Sequence, residues 1–543
     1  MTGLILRLPI FVTLIFLSGA AMLAPAIYAS VIDQDAIARN FLYGALLVMI
    51  LAGLIGLATH RPQRTRTAPE MLLTVVAVMA VLPLLLALPL AESLPDTGLF
   101  NAWWEMVSSL TTTGASLYSA DLLAAPLHLW RAIVGWMGGL FILSAAVAIL
   151  APLRVGGFEL MSAPDDRSEY LERLPRSANP RERPKHLSAP AYRTRLADPA
   201  YRLIHAALGV TPVYAGLTVV LWTVLMILGD PSLVALCRAM GTLSTSGITP
   251  VLGVTGEQAG IPGEMVVFLF LIPALSRRFW PGGSELRATQ SLRDDPELRM
   301  AVGLVALVAT ALFLRHFLGA IEAGSGAPAR ATTLRDLGQA LSAAWGGLFA
   351  ALSYLTTTGW NSVAWQGARA WSGLTAPGLI LAGLAMMGGG VATTAGGVKL
   401  LRVYALARHG QRELEKIVHP NSVEGGGRMA RRLRREGAYL AFIFFMLFAI
   451  SIAVTVMLVS LHAIEFDTAT ILSVAALTNT GPLAAVIPLT PAFEGTAGIA
   501  SAPWEGWSGL PVLTKSVLAG AMIVGRIETL AILALFSPEF WRR

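Results

Sequence analysis

Four short stretches carry the residues whose types and spacing could do chemistry: Leu110-Thr-Thr-Thr-Gly114, Leu243-Ser-Thr-Ser-Gly247, Leu355-Thr-Thr-Thr-Gly359 and Leu477-Thr-Asn-Thr-Gly481. None contains an acidic ligand. What they offer is main-chain oxygen. Four such loops meeting on one axis can ring a central ion with carbonyls and replace the hydration shell of a monovalent cation, as the carbonyl rings of potassium channels do. Glycine closes each loop where the chain must take a positive or otherwise strained φ with its carbonyls turned inward. A single Thr-Thr-Gly stretch reads more simply as a helix-ending turn with glycine at C′. The four glycines recur about every 120 residues, and a fourfold repeat of that kind outranks any single motif. The candidate cation ligands are therefore Thr112, Thr113, Gly114, Thr245, Ser246, Gly247, Thr357, Thr358, Gly359, Asn479, Thr480 and Gly481.

The elements that position these loops follow from composition. Of the 543 residues, 55% are hydrophobic and 13% charged, about half the charge of a soluble chain. A lipid solvent demands that depletion, and apolar runs fall near 6–28, 40–59, 70–92, 129–151, 203–228, 262–280, 300–320, 374–404, 437–462 and 512–537. Each is close to the roughly 20 residues a helix needs to cross the hydrocarbon. Arg7, the run from Leu8 to Met22 and the small residues at Ala29-Ser30 imitate a secretory leader, but a chain this apolar inserts without one, so a retained first helix is expected.

The net charge of +7 sits mainly in connectors: Arg61, Arg64 and Arg66; the 153–202 segment; Arg277, Arg278, Arg287, Arg293 and Arg299; and Arg408 to Arg435. With ten alternating spans all four connectors share one side, which positive charge assigns to the cytoplasm together with both termini. The opposite connectors each hold a half-apolar stretch of about ten to fifteen residues, too short to cross, that ends in one of the four Thr/Ser-Gly loops. Non-helical backbone at membrane depth is tolerated only where protein buries it or water lines it. Each half-helix would aim the partially negative end of its dipole at the cation.

The chain resembles the TrkH/KtrB superfamily of potassium transporters. The likeness rests on the four loops and on Trp104-Glu-Met-Val-Ser-Ser-Leu-Thr-Thr-Thr-Gly114, Arg293-Asp-Asp-Pro-Glu-Leu-Arg299, Gly388-Gly-Gly-Val-Ala-Thr-Thr-Ala-Gly-Gly-Val-Lys399 and Gly525-Arg-Ile-Glu528. It covers about residues 40 to 540, and the two leading spans favour the TrkH branch. The resemblance implies an all-α integral membrane fold, with two leading helices plus four pseudo-symmetric span–pore helix–span repeats around a central pore. It divides the chain into residues 1–69, repeat 1 at 70–160, a connector at 161–202, repeat 2 at 203–299, repeat 3 at 300–435 and repeat 4 at 436–543. It implies potassium uptake across the bacterial inner membrane, with K⁺ as the transported ion and no enzymatic reaction. The implied partners are a second copy of the chain and a cytoplasmic nucleotide-binding regulatory subunit (TrkA-like). No nucleotide motif appears in this chain, and no nucleic-acid partner is expected.

The resemblance also gives a role to the eighth span. Gly388, Gly389, Gly390, Gly396 and Gly397 interrupt it, at about 1 kcal/mol per glycine in a helix interior. Close helix packing through small residues is the alternative. Thr393 and Thr394, able to satisfy freed backbone groups, and the family likeness favour an irregular gating loop. Arg526 lies near the middle of the last span, where a charge costs about 2.5–3.5 kcal/mol on insertion scales and must face protein or water. The matching family position is a pore-facing cation that restrains flow. A structural ion pair is the alternative.

Other residues carry less. His60, His128, His205, His316, His409, His419 and His462 show no ligand spacing, and Cys237 stands alone. Asp467 reads as a first-turn acid, and Trp103, Trp104, Trp365 and Trp371 as an interfacial belt. A cation-coupled (Na⁺ or H⁺) secondary transporter is the rival function. Such folds use inverted repeats and midplane acids, whereas here the repeats are parallel and midspan carboxylates scarce.

Overall fold

A computed structural model describes residues 9–59, 68–94, 96–150, 199–250, 258–281, 295–324, 334–365, 378–418, 437–462, 464–486 and 506–536. Every regular element among them is helical. Among the described residues, seven helices are long and apolar enough to cross a membrane: Ile10–Val31, Asp35–Ala58, Pro69–Ser93, Ala125–Leu150, Pro199–Ile227, Pro296–Arg315 and Ala438–Ser460. The second shows why they form in lipid. Phe41, Ala45, Val48 and Ala52 face protein, while Tyr43, Leu46, Leu47, Ile50, Leu54 and Leu57 are exposed. Both faces are apolar, and only a non-aqueous solvent stabilises the outer one.

The other three expected spans are interrupted. The run at 262–280 is an α-helix only over Gly260–Leu271, followed by single 3₁₀ turns at Ile272–Ala274 and Arg277–Phe279. Pro273 has no N–H to continue the α-helical hydrogen-bond ladder, and the chain tightens there into a 3₁₀ turn while Ile272 keeps helical dihedrals. The run at 374–404 becomes two helices, Gly378–Met387 and Leu400–Val418, with no helix between them. The last run divides at Glu528, whose φ of 75° separates Val512–Ile527 from Thr529–Phe536. The fourth run, in the first repeat, ends in a π turn at Ala146–Leu150. The second span of every repeat thus departs from α-helix, whereas an interruption was expected in the eighth span alone.

Between the two spans of each repeat stands a pore helix: Gly98–Leu110, Ser232–Ser244, Leu334–Leu355 and Phe466–Leu477. The third is longer than expected at 22 residues. Trp104 and Trp365 are buried rather than interfacial. The indole of Trp104 donates to the oxygen of Lys515, at 2.9 Å, and so pins the first pore helix to the last repeat. Trp371 lies outside the described residues.

Candidate functional site

Each pore helix ends in the same turn. The second residue of each tetrad is left-handed, with φ of 57° at Thr112, 52° at Thr245, 59° at Thr357 and 55° at Asn479. Its N–H reaches back three residues and the next N–H reaches back five: Thr112 to Ser109 and Thr113 to Ser108, Thr245 to Thr242 and Ser246 to Gly241, Thr357 to Tyr354 and Thr358 to Ser353, Asn479 to Ala476 and Thr480 to Ala475. This is the Schellman helix ending. Its left-handed position usually belongs to glycine. Here Thr or Asn fills it, at about 1–2 kcal/mol per residue, and the surrounding structure must hold it there.

A hydroxyl pair does so four times. Thr111 meets Thr113 at 2.8 Å, Ser244 meets Ser246 at 2.9 Å, Thr356 meets Thr358 at 3.0 Å and Thr478 meets Thr480 at 3.2 Å, oxygen to oxygen. The first hydroxyl of each pair also donates to the carbonyl four residues back: Val107, Met240, Leu352 and Val474. Thr111, Ser244, Thr356 and Thr478 are functional residues the sequence reading missed. The signal was present, since every tetrad has Ser or Thr at its first and third positions.

The four loops form a ring. A Cβ added to Gly114 would lie 1.9 Å from the oxygen of Ser246, and one added to Gly247 would lie 2.2 Å from the oxygen of Thr358. Gly359 abuts Pro482, 3.0 Å from its Cβ to the one Gly359 would carry. Gly481 then returns to the start, donating its N–H to the oxygen of Thr113 at 2.7 Å. A left-handed φ recurs at Gly114, Gly247 and Gly359 (73°, 64° and 78°) but not at Gly481. The fourth glycine is required by contact instead: a Cβ there would lie 2.3 Å from the nitrogen of Ala115. The expected inward twist thus holds for three loops and not for the fourth. Positive φ at every second residue works against the strand-like alternation of carbonyls, and third-position oxygens of three loops reach the glycine of the preceding one.

Residues 388–399 lie against this ring. The N–H of Gly396 donates to Thr357 Oγ1 at 2.8 Å, and a Cβ on Gly396 would lie 2.1 Å from the oxygen of Thr478. Arg526 Nη1 donates to the oxygen of Thr394 at 2.6 Å, and Thr393 Oγ1 to the oxygen of Gly390 at 2.8 Å. Gly388 and Gly397 take φ of 72° and 75°, and Gly389 packs on Ala274. Val391 N–H donates to Glu297, Gly390 N–H to the oxygen of Ala274, and Arg277 to the oxygen of Ala392. Arg277, expected to be a topological charge at the surface, is buried under this loop. Asp295 accepts from Ser276 Oγ at 2.7 Å and from the N–H of Glu297 at 3.0 Å, so the Asp-Asp-Pro-Glu motif starts one span and holds the loop.

Arg526 and Glu528 take different partners, since the helix carrying Arg526 ends at Ile527 and Glu528 leaves it with a φ of 75°. Glu528 meets Arg402 at 2.7 Å, and Arg402 stacks 3.8 Å from the ring centre of Phe444. A cavity of about 30 Å³ lies between Ala146, Thr393, Gly396, Lys399, Arg526 and Glu528, room for one or two waters. Thr112 Oγ1 and Asn479 Oδ1 of the loops and Thr394 Oγ1 of the 388–399 segment are buried with no hydrogen-bond partner among the described residues. Buried acceptors without donors are what a cation shedding its water requires.

Buried acids fix the rest of the pore loops. Glu264 accepts from Trp345 Nε1 at 2.7 Å, Ser362 Oγ at 2.6 Å and the N–H of Val363. Glu105 pairs with Arg131 at 2.6 Å and accepts from Leu117 N–H at 2.9 Å. Asp230 pairs with Arg238 at 2.8 Å and accepts from the N–H groups of Gln258 and Ala259. These clamps span from eight residues, Asp230 to Arg238, to 99, Glu264 to Val363, and spacing gave no signal for them.

Comparison with known proteins agrees with this architecture. The TrkH family model, described as a cation transport protein, matches residues 266–543. The chain belongs to the TrkH family. Its similarity to curated TrkH-type proteins runs through nearly the whole length. It is 27% identical over 536 residues to the Trk system potassium uptake protein TrkH of Salmonella typhimurium, covering 97% of each chain. It is 25% identical to the Trk system potassium uptake protein TrkI of Halomonas elongata, covering 96% of this chain and 94% of that one. The crystal structure of the potassium transporter TrkH from Vibrio parahaemolyticus superposes with a TM-score of 0.70 at 22% identity, over 100% of both chains. The TrkH-type fold, all-α and membrane-embedded, is therefore that of this protein.

Proposed function

We propose that this chain is the ion-conducting subunit of a bacterial potassium uptake system. Potassium enters through a filter whose ligands are the main-chain oxygens of residues 112–114, 245–247, 357–359 and 479–481. The closed ring in which Ser246, Thr358 and Thr113 touch Gly114, Gly247 and Gly481 carries the reading. The pore helices end on that ring, so the negative ends of their dipoles favour a cation without any carboxylate. Selection by carbonyl oxygens suits a weakly hydrated monovalent ion and asks for no cofactor or chemical step. The 388–397 loop and Arg526 act as the gate: a guanidinium bound to that loop opposes a cation leaving the filter. The pore repeats are the segments 70–160, 203–299, 300–435 and 436–543, after two leading helices.

The relatives are Trk system potassium uptake proteins, which supports a multi-component assembly. In it two copies of this chain sit in the inner membrane with both termini cytoplasmic, bound to a TrkA-like nucleotide-binding subunit through the basic segments at 153–202 and 399–435. The test is ⁸⁶Rb⁺ uptake into proteoliposomes, with K⁺ or Na⁺ as competitor. K⁺ is expected to suppress uptake strongly and Na⁺ only weakly. Equal competition by the two ions would contradict the reading.

A further inference from the structure

A ring of four loops cut from one chain has an unequal joint. Repeats 1 and 2, 2 and 3, and 3 and 4 follow one another along the chain, but repeat 4 meets repeat 1 with no covalent link. At this seam alone, among the described residues, hydrogen bonds run from one tetrad to the next. Gly481 N–H donates to the oxygen of Thr113 at 2.7 Å, and Asn479 Nδ2 donates to Thr113 Oγ1 at 3.0 Å. The same Nδ2 donates to the oxygen of Met522 at 2.9 Å. A main-chain oxygen only accepts, so this contact fixes which end of the carboxamide faces the seam. A consistent donor order then runs from Asn479 through Thr113 and Thr111 to the oxygen of Val107.

Asn479 is also the one second-position tetrad residue that is not threonine; the other three are Thr112, Thr245 and Thr357. A threonine hydroxyl has one proton and could not make both donations. Met522 lies one helical turn before Arg526, which holds Thr394 of the gating loop. We propose that the Asn479 carboxamide is the positioning residue that closes the filter ring between its last and first loops and ties that joint to the turn carrying Arg526. It sets ion preference by holding Thr113 in register, in addition to any oxygen its own backbone gives the ion. This deepens the filter reading above and rests on it.

The test compares K⁺ over Na⁺ preference in ⁸⁶Rb⁺ competition, using the full-length protein in proteoliposomes. Asn479→Thr installs the residue of the other three loops and removes the double donation. Thr113→Val removes the seam acceptor without touching the fourth loop, so it carries the test if the first variant does not fold. Each is expected to lower the preference ratio about fivefold, the scale of one buried hydrogen bond. The double variant is expected to fall short of the two single effects combined, since both cut the Asn479–Thr113 contact. Thr358→Val, which loses the same intraloop hydroxyl pair but has no seam bond, should combine additively with Asn479→Thr. An unchanged ratio in both single variants, or full additivity between Asn479→Thr and Thr113→Val, would overturn the seam assignment while leaving the filter standing. Wild-type protein without K⁺ preference would overturn the filter and the seam together.

Discussion

Arg526 holds the main-chain oxygen of Thr394 at 2.6 Å, and both residues are buried. One cation of the last repeat thereby fastens the glycine-rich loop of the third repeat against the filter, where Gly396 meets Thr357. Removing the guanidinium removes the fastening and, on the function proposed above, a positive charge that opposes the ion. Arg526→Ala is expected to raise basal ⁸⁶Rb⁺ uptake about tenfold or more, since charged hydrogen bonds are worth about 1.5–3 kcal/mol. A well-folded Arg526→Ala protein with wild-type basal uptake would make the residue purely structural.

Gly114 leaves no room for a side chain, because the oxygen of Ser246 occupies the place of its Cβ. Gly114→Ser is expected to displace the second loop and reduce K⁺ over Na⁺ preference, read from competition at matched uptake rates. Unchanged preference would count against the filter assignment.

Glu264 belongs to the second repeat, yet three donors of the third repeat end on it: Trp345, Ser362 and Val363. Glu264→Ala orphans all three, at about 1–3 kcal/mol for each buried donor. We expect the midpoint of thermal unfolding in detergent to fall by at least about 5 °C. Glu264→Gln, which keeps an accepting oxygen, should fall less. Equal midpoints for Glu264→Ala and wild type would show the clamp to be idle.

Arg402 and Glu528 join the helix leaving the gating loop to the break in the last span. Glu528→Leu alone strands a buried guanidinium and is expected to cost about 3–5 kcal/mol, whereas replacing both partners by apolar residues is often close to neutral. The Arg402→Leu, Glu528→Leu double variant should therefore recover much of the unfolding midpoint lost by Glu528→Leu. A double variant as unstable as the sum of the singles would show that the pair is not coupled.

The fold was legible because lipid imposes long apolar runs and because four Leu-Ser/Thr-x-Ser/Thr-Gly stretches recur at near-constant spacing. Pro273 and the glycines at 388–390 and 396–397 announced two of the broken spans, although only the second was read as broken. The break at Glu528 carries no glycine or proline, and its carboxylate meets Arg402 across 126 positions of sequence. Glu105, Asp230 and Glu264 were opaque because sequence pattern places an acid but not its partner, which for Glu105 and Asp230 lies elsewhere in the same repeat and for Glu264 on the next one. Thr112, Thr245 and Thr357 concealed their left-handed backbone behind a residue type that avoids it.

The central claim is that main-chain oxygens of four loops bind one dehydrated cation on their common axis. Anomalous scattering from crystals grown in Rb⁺ tests it most directly. The account predicts density inside the ring formed by Thr113, Ser246, Thr358 and Thr480, lost when Rb⁺ is replaced by Na⁺. Density only at carboxylates such as Glu105 or Glu264, with none inside the ring, would contradict it.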